Sequence, residues 1–497
     1  MDEFTGWAAG LVVEVAGRGV VSHTGAVALR ALADRTGLTA QLSVATARRG
    51  FAPVHDRGRV LADVAVAIAD GARVMSDLAV LRDQDQLFGH VASTATLWRT
   101  LAGVDAAQRD RVAAARAKAR RHVWDLIVAR HGSLPASAVA DADVTHGLSH
   151  GLTDGLGRTV VVRLDATLVI AHTDNQEAAA TFKHSWGHHP LTAWCDNTGE
   201  FLAGLLRPGN AGSNTAADHV EVVTAALAQI PARHRRDVLI TCDGAGATTD
   251  LVRHIATLNR PGWRVEYSVG FALDARARAA IGKVPTSAWQ AALDEHGHAR
   301  ELDQAAVVEL TALLREQPEA LGGDQLKSWP KDMRVIVRRE RPHPGAQLSL
   351  FEEADGYRYQ LFATNTPVKL QVARSPRLGQ IAFLEARHRA HARVEDCIRT
   401  AKDTGLGHLP SKSFQINQAW MLAAAMACDL LAWLRLLTLT GPLASAEPKT
   451  LRYRLLHVAA RLVRGQRRRK IRIPTCWPWA RQLHDALDLA LTLPRPA

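Results

Sequence analysis

Cysteine is scarce in this chain of 497 residues. Cys195, Cys242, Cys397, Cys428 and Cys476 are all there are, and no two form a Cys-x-x-Cys pair. That spacing excludes a zinc framework and a disulfide scaffold, and it suits a reducing cytoplasm. The opening Met1-Asp-Glu-Phe4 has no basic stretch leading into a continuous apolar core, so no secretory signal is expected. Uncharged apolar runs of membrane length are lacking too. The most apolar stretch, residues 419–439, contains Asp429 and Arg435, which predicts a buried core helix and no membrane span. No internal repeat is visible. Acid is in deficit: 49 Asp and Glu against 61 Lys and Arg give a net charge of +12 and a pI near 9.9. Such a balance suits a polyanionic partner, nucleic acid foremost. The remaining composition, 47% hydrophobic and 22% charged, is that of a globular protein, and the length predicts about two to four domains.

What the chain does have is three acidic residues in distinctive settings. Asp165 closes the apolar run Thr159-Val-Val-Val-Arg-Leu164, and Asp243 closes Val238-Leu-Ile-Thr-Cys242. Glu395 lies in the helical stretch that reads His388-Arg-Ala-His391-Ala-Arg393-Val-Glu395 and continues to Lys402. Two strand-end aspartates and a helical glutamate are the donors of a two-metal phosphoryl-transfer site, in which cations roughly 3.5–4 Å apart are bridged by carboxylates. Hard oxygen ligands suit Mg²⁺, and Mn²⁺ equally. Small residues follow both aspartates, Ala166-Thr167 and Gly244-Ala-Gly246, leaving room for metal, water and a phosphate backbone. His388, His391, Glu395 and Lys402 fall on one face of an ideal helix, where the imidazoles and the ammonium could hold phosphates. The competing reading is an amphipathic surface helix with routine pairing.

Around these residues the chain divides by pattern. Residues 1–150 read as helical and as a DNA-binding region. Residues 26–38 have apolar helical spacing and then a Gly, as a helix-turn-helix would, although plain helical hairpins look the same. Residues 109–130 form an Ala-rich helix with Arg109, Arg111, Arg116, Lys118, Arg120 and Arg121, either a solvated face or a phosphate-contacting one. Strand-length runs at 159–165, 189–195 and 201–206, the last two flanking the turn Asp196-Asn-Thr-Gly199, open a catalytic core at 151–283. A helix near 215–229, the strand before Asp243, a helix at 249–258 and a strand at 263–269 complete an α/β mixed sheet flanked by helices. Residues 284–355 read as an inserted β-rich subdomain, with an acidic helix near 302–316 and a charged strand at 333–339. The core resumes at 356–440 with the Glu395 helix. Residues 441–497 form a basic C-terminal region, with ten Lys or Arg and no acid between Lys449 and Arg472.

The succession resembles the Asp-Asp-Glu transposases of bacterial insertion sequences, specifically insertion-sequence family 1380. It runs through Gly71-Ala-Arg-Val-Met-Ser-Asp77, Leu81-Arg-Asp83, Ala92-Ser-Thr-Ala-Thr96, Leu164-Asp-Ala-Thr167, Leu206-Arg-Pro-Gly-Asn210 and Cys242-Asp-Gly-Ala-Gly246. The Glu395 helix looks like the family's Tyr-x2-Arg-x3-Glu-x6-Lys signature. The resemblance implies a ribonuclease-H-like core interrupted by a β-rich insertion, and cut-and-paste transposition at terminal inverted repeats. It makes Asp165, Asp243 and Glu395 the metal-binding catalytic triad and Lys402 a DNA-contacting lysine. The signature's Tyr is His388 here and its Arg is His391, a loss of fixed charge for which Arg393 or Arg399 would compensate. Trp289, in the insertion, has two readings: a stacking partner for an extruded base, or a buried Trp in a small β-layer. Arg467, Arg468, Arg469 and Lys470 are expected to contact phosphates. His172 and His184 read as ordinary structural histidines. The implied partners are double-stranded terminal repeats, target DNA and a second copy of the chain, with no membrane. Two rival readings are a repurposed, non-catalytic DNA-binding protein and a nuclease without strand transfer.

Overall fold

The computed structural model describes residues 11–15, 17–50, 52–139, 142–143, 159–316, 323–368, 381–465 and 468–496. Its centre is a mixed sheet of nine strands. In chain order these are β1 (Val160–Ala166), β2 (Leu191–Cys195), β3 (Glu200–Leu205), β4 (Asp237–Cys242), β5 (Arg264–Phe271), β6 (Gln290–Ala291), β7 (Ala305–Glu309), β8 (Arg334–Glu340) and β9 (Arg358–Thr364). They lie side by side as β6-β7-β8-β9-β5-β4-β1-β2-β3. β1, β4 and β5 are parallel neighbours and the remaining pairings are antiparallel. The three parallel strands read as nearly unbroken apolar runs because helices cover both faces of the sheet there.

Among the helices are α1 (Ala26–Arg35), α2 (Leu38–Thr46), α3 (Arg57–Asp70), α4 (Ala106–His131), α5 (Ala216–Gln229), α6 (Thr249–Thr257), α7 (Ile381–Arg389), α8 (Val394–Ala401), α9 (Phe414–Thr438) and α10 (Ala480–Thr492). α9 is long and apolar enough to cross a bilayer, yet 83% of its most apolar window is buried inside this fold. It packs on α1, α3, α4, α10 and β3, so helices from both ends of the chain share a single core with the sheet. Asp429 is tolerated in the middle of α9 because Arg116 and Arg120 of α4 reach it at 2.9 and 2.6 Å. Arg120 also bonds Glu200 at 2.8 Å, and Glu200 accepts the indole N–H groups of Trp124 and Trp433. Part of the basic face expected on α4 is therefore a buried ion network.

Three further expectations change. Residues 284–355 do not form a separate layer: β6, β7 and β8 continue the main sheet beyond β9 by ladder hydrogen bonds. The acidic helix expected near 302–316 is the strand β7 followed by a short helix at Thr311–Arg315, since Val307 and Val308 pair with β8. The helix-turn-helix reading of residues 26–38 also fails on burial. α1 is enclosed almost all round, and α2 has no Lys or Arg to present to DNA. The junction expected at residue 150 lies outside the described residues.

Candidate active site

Parallel pairing of β1 with β4 sets Cys242 opposite Leu164, so Asp165 and Asp243 come next on neighbouring strands at the same end of the sheet. Adjacent strands lie about 4.8 Å apart, which puts the two carboxylates side by side. The Asp165 carboxylate accepts the Ala166 N–H at 2.8 Å, and Asp243 accepts the Ala245 N–H at 3.0 Å in a one-turn helix of residues 244–246. Gly246 has a packing reason to be small, because a Cβ there would lie 2.5 Å from the Cys242 sulfur. Beside Gly244, by contrast, a Cβ would meet open space.

The third carboxylate comes from the helix side. Along a strand, alternate residues share a face, so Thr241 points the way Asp243 does, and Arg163 the way Asp165 does. His391 Nδ1 meets Thr241 Oγ1 at 2.9 Å, and Arg163 is held by Asp196 at 2.8 Å. The segment carrying His391 is thus laid on the face from which both aspartates project. Four residues onward, about 6 Å along a helix, Glu395 stands exposed at the start of α8. The electrostatics register the convergence: burial, then Asp243, with a smaller push from Glu395, drive the Asp165 carboxyl up to about 7, against the Ala166 N–H and Lys402. Lys402 is exposed just past α8. Burial and Lys183 lower its pKa, and Asp165 opposes them.

The shared face expected for His388, His391, Glu395 and Lys402 does not form. Ala390–Arg393 is a 3₁₀ turn between α7 and α8. A 3₁₀ residue advances about 120° and an α residue about 100°, so four such residues turn the later face by about 80°. Both histidines point inward. His388 stacks on Phe362, with ring centroids 4.6 Å apart and 7° from parallel, and bonds Ser268 Oγ at 3.0 Å. Burial and nearby Arg side chains push His388 down to about 4 and His391 to about 3, so both rings are neutral near pH 7. The expectation that these imidazoles hold phosphates is therefore corrected: they are packing residues beneath the site.

The other expected DNA contacts divide. Arg393 is exposed and 3.6 Å from Asp196, while Arg399 pairs with Asp396 and Glu447 at 2.9 and 3.1 Å. Trp289 is buried with the Arg339 guanidinium 4.2 Å from its ring, which corrects the base-stacking role and leaves the buried one. Arg468, Arg469 and Lys470 are exposed on β11 (Arg468–Arg472), which pairs with β10 (Ala460–Gly465); Arg467 lies outside the described residues. This hairpin sets Arg461 opposite Arg472 and Arg464 opposite Arg469, like-charged pairs that repel unless an anion lies over them. Sequence reading did not single out Asp196, the shared anchor of Arg163, Arg393 and Ser137. Its position in a plain hairpin turn carried no signal.

The model of the transposase DDE domain, group 1, matches residues 7–156 and 154–494. The chain belongs to that family. No curated protein matches it. Among solved structures, the piggyBac transposase in a synaptic complex with hairpin DNA is similar over 84% of this chain and 77% of that one. Identity is 9% and the TM-score 0.36, a level that adds no argument about fold or chemistry. For a DDE-domain chain the donor set fits divalent cations: three carboxylates crowd one sheet end, and their mutual repulsion shows in Asp165. A second donor set, His23, Asp70 and His457, lies among the helices within 4.8 Å. There His23 Nδ1 bonds the Asp70 carboxylate and His457 Nε2 the Asp70 carbonyl, each at 2.6 Å. Those bonds join the start of α1, the end of α3 and the root of β10.

Proposed function

We propose that this DDE-domain protein is a DNA transposase of the insertion-sequence 1380 type. It cleaves a phosphodiester at the terminal inverted repeats of its own element and joins the freed 3′-hydroxyl to target DNA. The observation that carries the reading is the convergence of Asp165, Asp243 and Glu395 at the ends of two adjacent parallel strands. Mg²⁺ or Mn²⁺ held by these three would supply Lewis acidity at the phosphate and lower the pKa of the attacking hydroxyl. The chain's own contribution is position and charge. Asp165 and Asp243 are fixed by their strands and by backbone N–H groups, and Glu395 presents its carboxylate from the exposed first turn of α8. Lys402 offers an ammonium to a phosphate oxygen at the same edge, and Arg468, Arg469 and Lys470 hold duplex further out. The order β3-β2-β1-β4-β5, an antiparallel meander followed by two parallel strands, supports the ribonuclease-H-like reading of the core. Two ends must be brought together, so the working species is a homodimer on DNA.

The non-catalytic alternative drew its support from the two histidine departures. Both side chains pack within the protein, on Phe362 and Thr241, so their departure from the signature weighs less for that alternative. The test is cleavage and joining of labelled duplex carrying the inverted repeats that flank the element, with Mg²⁺ and with chelator. Metal-dependent cuts at the repeat boundary are expected, and repeat-specific binding without any cut in either metal would sink the reading.

A further inference from the structure

The basic hairpin has a root in the helical core, and the catalytic reading gives that root no task. Val20 and Val21 pair antiparallel with Arg461 and Ala460, so a short N-terminal strand, β10 and β11 form one three-stranded ribbon. At the base of the ribbon the Thr24 N–H donates to the Val458 carbonyl and the Gly25 N–H to the Leu456 carbonyl, each at 3.1 Å. His23 and His457 belong to these two segments, and their ring centroids are 4.4 Å apart.

Asp70, the last residue of α3, reaches both rings. Its Oδ2 is 2.6 Å from His23 Nδ1, and its Oδ1 is 3.4 Å from His457 Nε2. With one donor atom taken from each residue, the three lie within 4.8 Å of one another. The Asp70 carbonyl, 2.6 Å from His457 Nε2, adds a further oxygen at the same place. Tetrahedral zinc, with bonds of about 2.0–2.1 Å, holds its ligand atoms roughly 3.3 Å apart. These donors are already near that spacing.

A hydrogen-bonded His–Asp–His cluster needs no ion, and the carboxylate decides between the two. Asp70 is 4% exposed, and its Oδ1 is a buried oxygen with no hydrogen-bond donor, on the side facing His457. A carboxylate lone pair that is hidden from water and given no donor is costly, and a cation at that point would satisfy it. The two rings are 25% and 40% exposed, so an ion has a way in and can keep a water as its fourth ligand. The Arg452 guanidinium nearby is engaged elsewhere: Nε donates to the Ala69 carbonyl at 3.0 Å and Nη2 to the Asp403 carbonyl at 2.9 Å. His23 also sits at φ 52°, backbone that persists where its surroundings impose it, so its ring is held on Asp70.

We propose that His23, Asp70 and His457 form a zinc site that clamps the basic ribbon to the helical core. Two imidazoles and one carboxylate select zinc and its neighbours in the transition series over Mg²⁺, whereas the all-oxygen set at the sheet end does the opposite. The ion would join three stretches far apart in sequence: the residues before α1, the end of α3 and the turn leading into β10. Its role is structural, with no bond made or broken. Arg452, which spans from α3 to Asp403, carries the same junction to the segment just after Lys402. The site does not rest on the transposase reading, and its test needs no DNA.

The experiment counts zinc by elemental mass spectrometry in a full-length Asp165→Asn, Asp243→Asn double variant, so that ions at the sheet end stay out of the count. One zinc per chain is expected after dialysis, and its loss when His23→Ala or His457→Ala is added. Zinc should raise the melting temperature of the double variant by several degrees and slow tryptic cutting in β10 and β11, and neither effect should survive His457→Ala. His457→Cys replaces one zinc ligand with another. Loaded with Co²⁺, that variant should show a thiolate-to-cobalt charge-transfer band, which a cysteine with a purely structural role would not give. A zinc content no higher than that of His457→Ala, or no such band in a folded His457→Cys protein, would overturn the site. Bound zinc that leaves the ribbon's digestion unchanged would overturn the clamp. Metal-dependent cleavage by the wild type stands or falls separately from all of these.

Discussion

Asp429 and Asp165 are both withdrawn from solvent and burial raises the pKa of both, but the groups that face them are opposite in kind. Asp429, in the middle of α9, accepts hydrogen bonds from Arg116, Arg120 and the Phe201 N–H. Its neighbour Glu200, against the cost of burial, is held below the usual carboxylate range by the Arg120 charge and by hydrogen bonds from Thr198, Trp433 and Trp124. Asp165 has one backbone N–H and a more distant lysine, and it faces two further carboxylates. The first region neutralises its charges from within the chain. The second leaves negative charge uncompensated, an arrangement that a proton on Asp165 relieves in the metal-free protein and a bound cation would relieve in its place. A buried carboxylate marks structure or chemistry according to what faces it, and burial alone does not tell the two apart.

The contrast can be broken experimentally, beginning with the largest effect. Asp165→Asn, Asp243→Asn and Glu395→Gln should each lower cleavage about a thousandfold or more while duplex binding by gel shift stays within a few-fold. Near wild-type cutting by any one of them removes that residue from the site. Asp429→Asn should do the reverse: it takes the carboxylate from Arg116 and leaves Arg120 with Glu200 alone, costs about 3–5 kcal/mol in urea unfolding, and leaves cleavage by the surviving folded fraction intact. His391→Arg, which restores the family residue, should destabilise by about 1–3 kcal/mol by forcing a second guanidinium in beside Arg163, with no gain in DNA affinity. A rise in affinity would mean that the ring faces outward after all. Replacing Arg468, Arg469 and Lys470 with Gln should flatten the dependence of log K on log salt by about 0.9 for each phosphate that is no longer neutralised.

The smallest effect concerns pH. In metal-free protein the Asp165 carboxyl titrates at about 7, well above the ordinary 3.8. Between those values the folded state holds a proton that the unfolded chain has released. Metal-free stability should therefore fall as pH rises from 4 and level off above 7. Mn²⁺ needs the ionised carboxylate, so the thermal shift it produces should be largest near pH 8 and shrink as pH drops through 7. Asp165→Asn should remove most of that pH dependence. An equal Mn²⁺ shift at pH 5.5 and pH 8 would place the ion elsewhere, with His23, Asp70 and His457 the next donors to test.

Much of this was written in local pattern. The runs that became β1 and β4 are apolar on both faces because they lie at the centre of the sheet, and each points straight to its terminal aspartate. The turn at residues 196–199 sits where a hairpin turn belongs. Long-range pairing is what stayed hidden. Residues 302–316, with Asp303, Glu309 and Glu316 among apolar residues, read as an acidic helix, and only the ladder with β8 makes Ala305–Glu309 a strand. Arg116 and Arg120 look like surface charges until Asp429, some three hundred residues later, is folded against them. The parting of Glu395 and Lys402 from the inward face of His388 and His391 comes from four residues of 3₁₀ helix, a change of phase that spacing does not reveal.

The continuity of the sheet from β5 through β9 and β8 to β7 has a mechanical meaning. A subdomain on a linker could swing over DNA at little cost. Here strands that share ladder hydrogen bonds with the catalytic sheet make a beam, and tilting the far edge means twisting the strand that lies next to Asp243. Whatever grips the far edge of the sheet therefore pulls on the alignment of the carboxylates, and a load there is transmitted as strain to the end of the sheet that carries Asp165 and Asp243.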